Sequence, residues 1–313
     1  MDIRSIAIIG AGAVGGFYGA KLQNAGYQVE YLSKFLNSGR LKIKSIWGDF
    51  EVSIKVFDDT KKMQIPDLII VSTKLLPDIP MIEIIQPLLK ENSLILFLQN
   101  GINQEEKFYS FINKNKLYKK MNLVILGGLA FTCINRISPK EIHHIDYGKI
   151  KIGALLKQHQ REAKKIVEIF QSAGIETEYT ENLRKARWEK LFWNIAFNTL
   201  SVLGNQGTTD ELIQSPYTEE LAKLLMLDIY KIAQHEKNAP NKKIVQDMIE
   251  RTRKMKPYKT SMLIDFENKK PMEIDAIVGE PLNLAKKYKI DTPYLKFCYN
   301  LLKFLDKKNQ SIK

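Results

Sequence analysis

The stretch "WEKLFWNIAFN" places Lys190, Asn194 and Asn198 at successive intervals of four residues. On an α-helix that spacing puts all three on one face. Leu191, Phe192, Ile195, Ala196 and Phe197 lie between and around them. A cation and two amides in so apolar a helix are costly unless something satisfies them. The chemistry available is specific. A lysine can stabilise a developing oxyanion and hand it a proton, and two amides can orient a polar substrate through their donors and acceptors. A polar helix surface is the plain alternative, and the apolar residues on nearly every other side argue against it.

A second constellation lies near the start of the sequence. In "IAIIGAGAVGG", Gly10, Gly12 and Gly15 form G-x-G-x-x-G, with Ala11, Ala13 and Val14 between them, after an isoleucine-rich run and before a helix pattern. In a strand–turn–helix setting the first glycine permits the tight turn. The second lets backbone approach a pyrophosphate, the third lets helix pack on strand, and the helix N-terminus offers N–H groups to phosphate. A site selective for NAD usually has an acidic residue about 20 residues on, for the ribose 2′-hydroxyl. Here that position holds Ser33 and Lys34, and Glu30 comes too early. A hydroxyl followed by a cation suits a 2′-phosphate, so the cofactor expected is NADP(H), with Arg40 as a further cation. Lys74, after "VST", and Asn100, after "LQ", fall at the carboxyl ends of expected strands, where an open α/β sheet binds ligands.

The elements that must position these residues follow from periodicity. Short apolar runs at 3–9, 28–33, 67–73, 93–101 and 121–131 read as buried parallel strands with helical stretches between most of them. That alternation predicts an α/β, doubly wound, Rossmann-type sheet. Residues 141–153 alternate polar and apolar, as a hairpin or edge strands would. A helix ending at Gly174 and a strand in "IETEYT" complete this part. From 183 the pattern turns helical, with breaks at Gly207, Pro216, "NAPN", Pro257, Pro271 and Pro293. The predicted domains are a dinucleotide-binding domain over 1–181 and an all-helical substrate and catalytic domain over 182–313.

Composition narrows the remaining classes. The 313 residues are 44% hydrophobic, enough for packed cores. No apolar run reaches the ~18 residues of a membrane helix, and the N-terminus lacks the pattern of a signal peptide. Cys133 and Cys298 are the only cysteines; they make no disulfide framework and fit a reducing cytoplasm. The net charge of +13 comes from lysines spread along the whole chain, whereas a nucleic-acid footprint is concentrated. No nucleic-acid or membrane partner is expected, and no metal-ligand spacing appears.

From end to end the chain resembles the ketopantoate reductase (2-dehydropantoate 2-reductase) family. The resemblance rests on "GAGAVG", the "NG" turn, "WEKLFWNIAFN", "SMLIDFENKKPMEID" and "VGE". Most specific is K-x-x-x-N-x-x-x-N followed by S-M-x-x-D and E-I-D. It implies that Lys190 is the proton donor to the substrate's C2 oxygen and that Asn194 and Asn198 contact substrate. It further implies that Ser261 binds the substrate carboxylate and that Glu273 lies near the nicotinamide, paired with Lys190 or with the substrate hydroxyl. Lys74 and Asn100 match cofactor contacts, Asn100 at the substrate as well. None of the four histidines lies in a matched motif. The implied activity is NADPH-dependent reduction of ketopantoate to pantoate, in pantothenate and coenzyme A biosynthesis, by a cytoplasmic enzyme; a homodimer is left open. A reductase of another 2-keto acid on the same scaffold, and a non-catalytic NADP(H) sensor, are the alternatives. Departures from the family pattern occur at Val278, at Thr208, where some members place a substrate-contacting asparagine, and at Cys133.

Overall fold

The computed structural model describes residues 2–311. They form two compact units. The first runs to Lys74 and includes Ile79–Gln99 and Asn103–Leu183; the second comprises Leu75–Asp78, Asn100–Ile102 and the chain from Arg184 onward.

The first unit is built on nine strands: β1 (Ser5–Ile9), β2 (Gln28–Leu32), β3 (Gly39–Ser45), β4 (Phe50–Phe57), β5 (Leu68–Val71), β6 (Leu94–Phe97), β7 (Val124–Ser138), β8 (Glu141–Ala154) and β9 (Thr177–Tyr179). Its helices are α1 (Ala13–Asn24), α2 (Met81–Ile85), α3 (Gln104–Lys114), α4 (Lys116–Lys120) and α5 (Gln160–Ser172). Strands β2, β1, β5, β6 and β7 lie side by side and parallel. Because strand side chains alternate between faces, the apolar runs split cleanly. Ile6 and Ile8, with Leu68 and Ile70, join the core formed with α1 and α5. Ala7 and Ile9, with Ile69 and Val71, join the core formed with α2, α3 and α4. Both faces are covered, which is why these strands read as continuous apolar runs.

The expectation of an open doubly wound sheet needs correction. The sheet order is β3-β4-β2-β1-β5-β6-β7-β8-β9, and β3 also pairs with β8, so the strands close into a ring. Two features produce the closure. The β3–β4 hairpin, whose alternating "LKIKS" and "VSIKVF" the sequence reading passed over, adds strands beside β2. The β7–β8 hairpin runs past its neighbours, with register shifts at Phe131/Thr132 and Cys133/Ile134. Such irregularities bend a strand and raise its twist, and Glu141–His144 thereby meets Lys42–Ser45. At the seam the His144 ring sits against Phe17 and Trp47, and its Nδ1 lies 2.8 Å from the Ser45 hydroxyl. Helix α1 meets strands on several sides, and Phe17, Tyr18, Ala20 and Leu22 are fully buried. A helix apolar all round is one packed on every side.

The second unit is helical: α6 (Leu183–Leu203), α7 (Thr209–Gln214), α8 (Pro216–His235), α9 (Ile244–Arg253), α10 (Ser261–Glu267), α11 (Glu280–Tyr288) and α12 (Pro293–Gln310), with a π-helical turn at Asp275–Gly279. Pro216 and Pro293 sit in the first turns of α8 and α12, where a missing N–H costs nothing. Helix α6 is the axis of the unit. Trp188, Phe192, Ile195, Ala196 and Phe197 are buried in the core. Arg184 grips Glu236, the C-cap of α8, with two bonds of 2.8 Å, and Trp188 and Tyr288 donate to the same carboxylate. The buried Asp228 accepts the N–H groups of Tyr294 and Leu295 at the start of α12. These contacts fix the rotation of α6 and hence where its polar stripe faces. Among the described residues no helix is long and apolar enough to cross a membrane.

Candidate active site

The glycine-rich loop of the first unit carries the marks of a phosphate cradle. Gly10 has a φ of +98°, and a Cβ there would lie 2.6 Å from the backbone nitrogen of Thr73. Gly15 packs so tightly that a Cβ would lie 2.1 Å from the Ser72 hydroxyl and 2.4 Å from the Gly10 carbonyl. At Gly12 a Cβ would meet nothing within 4 Å. The two outer glycines are therefore spent on turn and packing, and the middle one borders open space. Gly12 caps α1 without a side-chain bond, and no acidic residue stands in the first turn. Unsatisfied N–H groups at such a helix end favour an anion. These residues, with Ala11, Ala13 and Val14, fit a dinucleotide pyrophosphate.

Beyond β2, the Ser33 hydroxyl accepts a bond from the Phe35 N–H at 3.2 Å, and Lys34 is exposed. Arg40 lies on β3, exposed and ion-paired to Glu51 at 3.3 Å, so its charge is already directed along the β3–β4 hairpin. Lys74 ends the first segment of that unit, half-buried.

In the second unit, α6 presents Arg187, Lys190, Asn194, Asn198 and Ser201 as one stripe at helical spacing. The Lys190 ammonium donates to Oδ1 of Asn100 at 2.7 Å. Asn100 is held by the residue after it. Gly101 has a φ of +92°, and a Cβ there would come within 2.6 Å of the Ala276 carbonyl, so only glycine lets the "NG" turn rest on the π-helical turn. Glu273, just upstream of that turn, is buried and accepts the Leu75 N–H at 2.9 Å. Lys190 keeps some exposed surface, but its ammonium is desolvated. Burial pushes it down to about 7; the nearby Arg187 cation acts in the same direction and Glu273 opposes it.

Asn194 and Asn198 are both buried. Among the described residues, Oδ1 of Asn198 has no hydrogen-bond partner. A buried, unmatched acceptor is expensive, and it is what a substrate donor would relieve. Ser261 is exposed as the first residue of α10. Its place is set by Thr260, fully buried, which accepts from the Leu263 N–H at 3.2 Å and shares a 2.6 Å bond with Ser201. Ser201 in turn donates to the Asn198 carbonyl at 3.0 Å. Thr208 is a half-buried capping residue of α7, bonded to Glu211. Val278 and Cys133 are buried.

The second unit thus brings together Lys190, Asn100 and Glu273, with Asn194 and Asn198 continuing the stripe. Sequence reasoning missed Arg187, the Leu75 backbone and the Ser201–Thr260 pair. Arg187 was readable as the residue one turn before Lys190 on the same face. The other contacts join distant segments and leave no local signal.

A dinucleotide cradle on a parallel sheet, and a helical unit with a desolvated lysine among amides, define a nicotinamide-dependent oxidoreductase. The ketopantoate reductase PanE/ApbA family model matches residues 6–157, and the PanE/ApbA C-terminal model matches residues 182–306. The 2-dehydropantoate 2-reductase of Nostoc sp. (strain PCC 7120) is 37% identical over 99% of this chain and 98% of its own length. The crystal structure of 2-dehydropantoate 2-reductase from Geobacter metallireducens GS-15 is 34% identical, covering 96% of this chain and 99% of that one, with a TM-score of 0.87. That of the Methylococcus capsulatus enzyme is 29% identical over 97% of each chain, with a TM-score of 0.86. The chain belongs to the ketopantoate reductase family.

The Ser201–Thr260 pair makes a stability prediction. Thr260→Val removes both the cap of α10 and the hydroxyl that bonds Ser201. It is expected to cost about 1–2 kcal/mol, the scale of a lost N-cap, in urea unfolding followed by circular dichroism. Thr260→Ser restores most of it.

Proposed function

We propose that this chain reduces 2-dehydropantoate to pantoate with NADPH, a step of pantothenate and coenzyme A biosynthesis. The observation that carries the reading is Lys190: its ammonium is desolvated, bonded to Asn100 and in line with two buried asparagines on α6. NADPH, when bound, supplies a hydride to the C2 carbon of the keto acid.

The protein's own groups do the rest. Gly10, Ala11, Gly12, Ala13, Val14 and Gly15 hold the pyrophosphate. Ser33 and Lys34 take the 2′-phosphate, and Lys74 and Asn100 contact the cofactor further along. Lys190 faces the C2 oxygen, stabilises its growing negative charge and gives up the proton on Nζ. A donor whose pKa lies near the working pH is both protonated and able to release its proton, and desolvation strengthens its attraction for the oxyanion. Asn100 keeps Nζ in place through the 2.7 Å bond. Asn194 and Asn198 hydrogen-bond the substrate, and the orphaned Oδ1 of Asn198 suits a substrate hydroxyl donor. Ser261 donates to the substrate carboxylate. Glu273, oriented by the Leu75 N–H, receives the substrate hydroxyl and supports the charged form of Lys190.

The direct test is NADPH oxidation across a panel of 2-keto acids. Ketopantoate is expected to give the highest kcat/KM; a higher value for another acid replaces the substrate, and no turnover on any of them overturns the reading. Lys34→Ala should weaken NADPH binding and leave NADH binding nearly unchanged, whereas equal losses for both remove Lys34 from the 2′-phosphate site.

Lys190→Ala should lower kcat by about 10²–10⁴, the scale of a general acid, with NADPH affinity little changed. Lys190→Arg should not rescue it, because guanidinium holds its proton too tightly. The pH dependence has a defined sign. Reduction needs the protonated lysine, so its kcat/KM should fall as pH rises through about 7. Oxidation of pantoate needs the neutral amine and should rise over the same interval. A flat profile in both directions, or near-normal kcat in Lys190→Ala, leaves the lysine only a structural role.

A further inference from the structure

Arg136, near the far end of β7, was not among the residues expected to bind cofactor. Its guanidinium reaches the glycine-rich loop: Nη2 donates to the Ala11 carbonyl at 2.9 Å and to the Gly12 carbonyl at 3.3 Å. Nη1 holds the carbonyls of Pro139 at 2.9 Å and Ser138 at 3.4 Å, which ties the group to the tip of its own hairpin. Burial lowers its pKa to about 10, so it stays charged at neutral pH.

A trans peptide is planar, with its C=O and N–H pointing in opposite directions. Drawing the Ala11 carbonyl toward Arg136 therefore turns the Gly12 N–H away from it, and the Gly12 carbonyl, shared between Arg136 and the Gly16 N–H at 3.0 Å, turns the Ala13 N–H likewise. The N–H groups of Gly10 and Ala11 are already committed to the Leu32 carbonyl, each at 3.3 Å. Those of Gly12 and Ala13 are at the start of α1, where no intrahelical acceptor exists, beside the open space at Gly12. A second observation agrees. Gly16 lies outside the G-x-G-x-x-G motif, yet a Cβ there would come within 2.5 Å of Nη2 of Arg136 and 2.6 Å of Ile142. The glycine makes room for the guanidinium.

We propose that Arg136 is a positioning residue for the dinucleotide: it fixes the peptide planes at Ala11–Gly12 and Gly12–Ala13 so that their N–H groups face the cofactor's pyrophosphate before it arrives. The inference rests on the reading that this loop binds NADP(H). It gives the closed strand ring a task, since the β7–β8 hairpin that pairs with β3 is what brings Arg136 to the loop.

The test measures NADPH dissociation constants by tryptophan fluorescence, keto-acid KM at saturating NADPH, and hydrogen exchange of residues 10–16 in the cofactor-free protein. Arg136→Ala should raise the NADPH dissociation constant by about 10–100-fold, the scale of losing hydrogen bonds to a charged group. Exchange in the loop should be faster, and the keto-acid KM should change little. Arg136→Lys, which keeps stem and charge but cannot fork between carbonyls, should fall between the two; it also serves if the alanine variant folds poorly. NADPH binding that stays normal in both variants, with only a lower melting temperature, overturns the inference and leaves Arg136 a fold brace. Failure of the wild-type protein to bind NADPH overturns the cofactor reading and this inference with it.

Discussion

The helical unit depends on keeping one ammonium group out of water without neutralising it beyond use. Burial above all, with the Arg187 cation, lowers the Lys190 pKa to about 7; Glu273 opposes them, and Nζ is held on the Asn100 acceptor. Such a setting survives only if distances are held, since a desolvated charge responds steeply to a partner's displacement. Much of the surrounding structure does that holding. Arg184, Trp188 and Tyr288 converge on Glu236 to lock α6, Gly101 seats the Asn100 turn, and the Leu75 N–H fixes Glu273.

The first unit solves a different problem, that of binding an anion with backbone. A glycine-rich loop has little side chain to constrain it and much conformational freedom to lose. Here the freedom is removed from several sides. Ser72 bonds the Gly10 carbonyl at 2.9 Å, Leu32 takes two N–H groups, and Arg136 takes two carbonyls. Preorganisation of this kind leaves less ordering to be done when a ligand binds.

Much of this was legible in the sequence, because the signals were local. The glycine spacing, the apolar runs of β1, β5 and β6, and the four-residue rhythm of Lys190, Asn194 and Asn198 are each set by the geometry of a single element. What stayed hidden was set by pairing between distant segments. The alternation in β3 and β8 is visible, but nothing in either strand says they will be neighbours. Arg136 reads as an ordinary strand arginine until the hairpin is bent over α1. Ser201 and Thr260 are small hydroxyl residues of no evident purpose until they meet. The open sheet expected from the βα alternation was wrong in its edges for the same reason: edge pairing is decided by the reach of hairpins, not by composition.

The π-helical turn at Asp275–Gly279 sets the length of its segment. Its closing bond runs from the Glu280 N–H to the Asp275 carbonyl, five residues back, so the turn holds one residue more than an α-helical turn would. Removing one residue there would let the segment relax into regular helix, a gain in local regularity. The segments on either side would keep nearly the same phase, because the wider turn advances less per residue and absorbs its extra residue within itself. What would change is the bulge itself, whose Ala276 carbonyl packs against Gly101. The surplus residue thus shapes the surface on which the "NG" turn rests, while the helix on either side runs on in phase.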